Sequence, residues 1–184
     1  MISIPRRPCI SHPTSVVRYS EVTFNNELGT LKLLPQNYRL RIVGGGPHEV
    51  ADSVKSVCHQ LGLDDRVDFM GLRQDIPDIL EQSDINVLSS HWEDLSLSSI
   101  EGMASGRPFI ASDVDGLREM VGGAGVLFKH GDDKDLAGKI MQLCEHPDEY
   151  RKVAQSCQEK ARQYDISVTV NRYLDLYKRL CNIK

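Results

Sequence analysis

Residues 93–101 read EDLSLSSIE: two glutamates enclose three serines, with no lysine or arginine between them. Leu97, Ile100, Met103 and Ala104 recur at helical spacing, and Gly106 and Pro108 would end the run. The pattern predicts a helix from about Ser96 to Ser105. Glu93 then stands just ahead of that helix, and Glu101 one to two turns inside it. Between them the helix start offers unpaired N–H groups and partial positive charge, which suits phosphate. A carboxylate accepts from both hydroxyls of a vicinal diol, as in ribose. The arrangement therefore fits a nucleotide sugar, with phosphates at the helix start and a sugar ring against each acid. A structural reading competes with it. Ser98 and Glu101 have the spacing of a capping box, in which Glu101 would fold back on its own helix start. A helix capped at Ser98 would hold barely two turns before Gly106.

Two other motifs carry possible chemistry. IVGGGP (42–47) runs from an apolar stretch into three glycines and a proline. Gly45 and Gly46 would let a ligand approach main-chain N–H groups, or simply make a strand-to-helix turn. A dinucleotide site would need glycine at position 49, where Glu49 stands, and an acid after VDFM (67–70), which is missing. SDVDG (112–116) is similar to the nucleophile loop of haloacid-dehalogenase-like phosphatases and to a paired-carboxylate metal site. It lies far from the chain start, and the acid cluster GDDKD (131–135) follows too closely for the phosphatase pattern, so a polar turn is expected. His12, His48, His59, His91, His130 and His146 show no metal-site spacing.

These motifs need elements to hold them. The apolar runs LRIVG (40–44), VDFMG (67–71), INVLSS (85–90), PFIAS (108–112) and GVLF (125–128) read as buried strands. Helical stretches fall near 47–61, 74–82, 96–105 and 115–121. Upstream, SVVRYS (15–20) reads as a first strand and NNELGTLKLL (25–34) as a helix stopped by Pro35. The rhythm predicts an α/β fold with a doubly wound parallel sheet and helices on both faces. A helical tail follows: 133–145 capped by Asp132 or Asp133, a segment opened by Pro147, and a last helix with Ile166, Val170, Tyr173, Leu174, Tyr177 and Leu180 on one stripe. Residues 1–13, with three prolines, read as an arm or linker before a single domain spanning 14–184.

Composition bounds the partners. The chain has 184 residues, 40% hydrophobic and 26% charged, with a formal net charge of −4. That length suits one domain with a sizeable core. The charge argues against a general nucleic-acid binder. No apolar run approaches the ~20 residues of a membrane span. Five cysteines, Cys9, Cys58, Cys144, Cys157 and Cys181, form no Cys-x-x-Cys pair and read as reduced, buried thiols of a cytosolic protein.

Taken in order, RIVGGGP, VDFMG, INVLSS, the Glu93–Glu101 pair, GMASGRPFIASDVDGLREMV and GVLFKHGD resemble the C-terminal half of a retaining GT-B glycosyltransferase, the group 1 (family 4) type. The resemblance spans roughly residues 38–180 and implies a Rossmann-like domain that binds the nucleotide-sugar donor. It implies that Glu93 lies near the donor-sugar hydroxyls and serves catalysis, and that Glu101 holds the nucleotide ribose. Main-chain N–H groups around Leu95, Ser96 and Leu97 would face the diphosphate, and the turn at Gly71 and Leu72 would border the base. Arg18 matches an arginine that binds the diphosphate, whereas Thr23 or Phe24 stands where the family has a lysine. The loop after Glu93 reads DLS rather than Gly-aromatic-Gly. The implied donor is UDP- or GDP-linked and no metal cofactor is expected. The implied location is cytoplasmic, or peripheral to the inner face of the membrane. The family's N-terminal acceptor domain has no counterpart in this sequence, so a missing half or a partner subunit is expected to complete the cleft. The alternative is a non-catalytic nucleotide-sugar-binding or interaction domain derived from such an enzyme.

Overall fold

Strands that are apolar at successive positions need cover on both faces, and the fold supplies it. A computed structural model describes residues 14–18, 24–44 and 48–181. Its elements run β1 (Thr14–Arg18), α1 (Phe24–Leu33), β2 (Arg39–Val43), α2 (His48–Gln60), β3 (Val67–Gly71), α3 (Ile76–Gln82), β4 (Ile85–Leu88), α4 (Leu97–Ala104), β5 (Phe109–Ser112), α5 (Asp115–Val121) and β6 (Val126–Phe128). Then come α6 (Asp133–Glu145), α7 (Pro147–Ala161), a 3-10 turn (Arg162–Tyr164) and α8 (Ile166–Leu180). The arm expected at 1–13 lies outside the described residues.

All strand pairs are parallel, in the order β3-β2-β1-β4-β5-β6. This is the doubly wound order, and it reverses direction between β1 and β4. The period of two along each strand divides the core. Leu40, Ile42, Ile85, Val87 and Ile110 join α1, α2 and α6 in one cluster. Leu88, Phe109 and Ala111 face the other way, against Met103 of α4, Leu117 and Met120 of α5 and Cys157 of α7. Val43 packs with Ile79 and Leu80 of α3.

Three expectations need correction. β3 is an edge strand, so Asp68 and Phe69 are exposed rather than buried. INVLSS stops being a strand at Leu88, because neighbouring β5 supplies ladder partners only for Asn86, Val87 and Leu88. Cys58 and Cys157 are buried as expected, but Cys144 is only partly so and Cys181 is exposed.

Arg66 holds the connection from α1 to β2. It is 6% exposed, and its guanidinium donates to the carbonyls of Tyr38 (3.0 Å), Leu34 (3.3 Å) and Pro35 (2.9 Å). α8 carries the expected stripe, but it buries no residue: Ile166, Val170, Tyr173, Leu174, Tyr177 and Leu180 are all exposed. No helix among the described residues is long and apolar enough to cross a membrane.

Candidate functional site

Open parallel sheets bind ligands outside the carboxyl ends of the strands where the strand order reverses. Here that point lies between β1, which ends at Arg18, and β4, which ends at Leu88. The chain leaves β4 through buried Ser89 and Ser90 and turns outward at His91 and Trp92, reaching α4 by way of Glu93.

Glu93 is half-buried, and the Ser90 hydroxyl donates to its Oε1 at 2.7 Å. Ser112, the last residue of β5, donates its hydroxyl to the Ser90 carbonyl at 2.6 Å. His91 Nδ1 and His130 Nε2 lie 2.7 Å apart, with the rings edge-to-face at a centroid distance of 4.5 Å. Gly116, at the start of α5, lies against the same turn. A Cβ there would sit 1.8 Å from the Glu93 carbonyl oxygen and 2.9 Å from that of Asp94, so only glycine lets the turn sit there.

The start of α4 discriminates between the two readings of its serines. Ser96 is the N-cap: its Oγ accepts from the Ser99 N–H at 3.2 Å. Ser98 lies inside the helix, so Ser98 and Glu101 do not form a capping box. Ser96 is also turned inward, its own N–H meeting the Met120 sulfur at 3.3 Å. That corrects the expectation that its N–H faces a diphosphate. Leu95 and Leu97, 65% and 68% exposed, are the outward members of the trio.

Glu101 is exposed and lines an open groove of about 380 Å³ with Pro77, Leu80 and Glu81 of α3 and Gln158 of α7. Ala104 and Ser105, at the C-terminal end of α4, complete that lining and Glu93 is not part of it, so the two glutamates are not brought into one shared cavity, contrary to the expectation of a single ligand held between them. Gly71 ends β3 at a φ of 64°, with open space where a Cβ would be. Leu72 follows, 84% exposed. Arg18 closes β1 opposite Val43; its side chain, like Gly45, Gly46 and Thr23, lies outside the described residues. Phe24 is the first residue of α1.

SDVDG is the polar link from β5 to α5, with Asp113 and Val114 between Ser112 of the strand and Asp115 of the helix. Asp113 and Asp115 both accept from Arg118, at 2.6 and 2.8 Å. No group of three or more His, Cys, Asp or Glu side chains suited to a metal occurs among the described residues. Ser90, Ser112, Gly116 and His130 were not expected at the site. Ser90 could have been found from its place at the end of INVLSS. His130 is 39 residues from His91, and no local signal joins them.

The profile of the family described as Glycosyl transferases group 1 matches residues 24–146. EpsD of Bacillus subtilis (strain 168) is 34% identical over 140 residues, 75% of this chain and 37% of EpsD. The N,N'-diacetylbacillosaminyl-diphospho-undecaprenol alpha-1,3-N-acetylgalactosaminyltransferase of Campylobacter jejuni is 35% identical over 116 residues, 62% of this chain and 31% of that enzyme. The chain thus spans about a third of the length of the curated relatives it matches. Among solved structures, Anabaena Alr3699/HepE in complex with UDP and glucose is 25% identical with a TM-score of 0.81, covering 94% of this chain and 49% of HepE. The C-terminal domain of the Francisella tularensis group 1 glycosyl transferase LpcC shares the fold at a TM-score of 0.70 and 21% identity, over 83% of this chain and 85% of that domain.

Proposed function

The chain belongs to the family Glycosyl transferases group 1, and from that membership we propose that it is the donor-binding half of a retaining glycosyltransferase that uses a nucleoside diphosphate sugar. The observation that carries the reading is the corner between β4 and α4. It sits at the reversal of the strand order, and it offers Glu93 in a fixed turn, the start of a capped helix and Glu101 one turn along that helix. Glu101 takes the ribose diol. The Gly71–Leu72 turn borders the base, and Gly45 and Gly46 contribute to donor binding. Glu93 takes the donor-sugar hydroxyls and stabilises charge that develops on the ring. The diphosphate lies at the α4 start, against the N–H groups of Leu95 and Leu97, and is drawn there by Arg18 as well. HepE, solved with UDP and glucose, supports this ligand class.

The chemistry required is modest. Electrostatic stabilisation of the departing diphosphate is the main demand, met here by helix N–H groups and Arg18 without a metal cofactor. Front-side attack, with the acceptor hydroxyl passing its proton to the leaving phosphate, keeps the anomeric configuration. The acceptor binds on another half or subunit, and the exposed stripe of α8 faces that partner. The unit comprises residues 14–184, in the cytoplasm or against the inner face of the membrane.

Calorimetric titration with UDP, GDP and UDP-glucose tests the reading. Binding of one nucleotide at micromolar to low millimolar concentration is expected; no binding at several millimolar of any of them would sink it. A second reading, a non-catalytic binding domain, is favoured by Thr23 and Phe24 standing where a lysine is expected. Hydrolysis of UDP-glucose by the purified chain would rule out that version.

A further inference from the structure

The geometry points to His130 as a positioning residue that fixes Glu93 and so sets the preference for a sugar-bearing donor over the bare nucleotide. This rests on the reading of Glu93 as the donor-sugar contact. Residues 89–96 form no strand or helix, so no backbone ladder holds Glu93 in place. Among the described residues, three holds on that turn come from elements further along the chain. β5 fixes the Ser90 carbonyl through Ser112, and α5 supports the main chain of Glu93 and Asp94 at Gly116. The third hold is the imidazole of His130, just beyond β6, on the imidazole of His91. Ser90 passes the constraint to the Glu93 carboxylate itself.

The His130 ring is committed to this contact. Its Nδ1 is buried with no hydrogen-bond partner among the described residues, so Nε2, facing His91, carries its polar interaction. A bond between two ring nitrogens needs an N–H on one and a lone pair on the other. The pair therefore couples the tautomers of the two rings, and the 2.7 Å contact ties the turn at His91 to the end of β6. Moving a contacting carboxylate by about 1 Å forfeits much of its interaction. Base and ribose are held elsewhere, by the Gly71–Leu72 turn and Glu101, and the diphosphate reaches the N–H of Leu97 inside α4 as well as that of Leu95, so the bare nucleotide depends on the orientation of the turn less than the sugar does.

The test compares UDP with UDP-glucose on the full chain. In His130→Ala the affinity advantage of UDP-glucose over UDP is expected to fall roughly tenfold, the worth of one good hydrogen bond, while UDP affinity stays within about twofold. His130→Gln, which restores a side-chain donor and acceptor, is expected to recover most of the advantage. His91→Ala approaches the pair from the loop side and is expected to match His130→Ala, which covers the case where that variant does not fold. An unchanged UDP-glucose to UDP ratio in both alanine variants overturns the proposal. Hydrogen exchange without ligand decides separately whether His130 holds the turn. The amides of residues 91–95 are expected to exchange faster in His130→Ala than in the wild type, with α7 unaffected; equal exchange overturns the proposal. Failure of the wild type to bind UDP, UDP-glucose or GDP removes the donor reading instead, and the exchange result still stands on its own.

Discussion

Glu93 stands just before α4 and Glu101 one turn inside it, one accepting from a serine hydroxyl and the other lining an open groove. Glu27 and Asp133 meet on the opposite face of the sheet, where α1 packs on α6, and their situation is different. Glu27 is 4% exposed, and neither carboxyl oxygen meets a hydrogen-bond donor among the described residues. Asp133 is seated on the backbone of Gly29, where an added Cβ would lie 2.0 Å from Oδ2. Burial pushes the Glu27 carboxyl up from 4.5 to about 8, against the opposing pull of its own backbone amide and with help from the Asp133 charge. Burial raises Asp133 too, with Asp132 adding to it. Side-chain type therefore does not assign the role. An acid left at the surface or hydrogen-bonded can meet a ligand, whereas an acid enclosed without a donor is driven to neutrality and weakens the fold at high pH.

The largest expected effect breaks this comparison on the buried side. In the unfolded chain Glu27 ionises near its ordinary value of 4.5, while in the fold it keeps its proton to about 8. Between those values the folded state holds a proton that the unfolded state has shed, so stability falls as pH rises. The loss is at most about 4–5 kcal/mol and is complete just above the upper value. Glu27→Gln should remove most of that slope, as read by urea unfolding at pH 5.5 and 8.5. A wild type no weaker at the higher pH would show that water reaches the carboxylate. Arg39 lines the same small cavity, of about 20 Å³, but pairs with Asp68 at 3.7 Å instead.

Next in size is a buried charge that is satisfied. Burial lowers the Arg66 pKa, but three carbonyls accept from its guanidinium. Arg66→Ala would strand those carbonyls and open space beside β2, a cost of about 3 kcal/mol in unfolding free energy, read from denaturant titration. A cost below about 1 kcal/mol would mean that the carbonyls find water at once. Set beside Glu27→Gln, the result isolates hydrogen-bond satisfaction from burial.

On the open side, Glu101→Ala should weaken nucleotide binding by about 1–3 kcal/mol in calorimetry and leave the unfolding midpoint unchanged. Loss of stability with binding retained would return Glu101 to a structural role.

The contrast also shows how far the residues could be read without coordinates. The strands were legible because LRIVG, INVLSS and PFIAS are buried on both faces, and an apolar run of that length has few other uses. α6 and α7 were legible from Asp132 and Pro147, whose cap and first-turn roles are local chemistry. Glu27 was not. It sits beside the stripe Leu28, Leu31 and Leu34, and a glutamate there reads as solvated until packing by α6 encloses it. The grip on Glu93 was hidden for another reason. Ser112, Gly116 and His130 come from β5, α5 and the end of β6, and only the parallel order of the sheet brings them to one turn. Sequence pattern reports what a residue does within its own element; contacts between strand ends depend on topology.

The smallest effect sharpens the comparison at the site itself, and it concerns which serine starts α4. With Ser96 as N-cap, the Ser99 N–H is satisfied and the helix begins at Leu97, which sets Glu101 on the side facing α3. Ser96→Ala should cost about 1 kcal/mol of stability, the usual worth of a cap. Ser98→Ala should cost nothing measurable, because its hydroxyl is not at the cap and alanine favours the helix. The reverse order would restore the capping box, turn Glu101 back onto its own helix and withdraw it from the groove. The two thermal midpoints, measured side by side, therefore bear directly on whether Glu101 is available to a ribose.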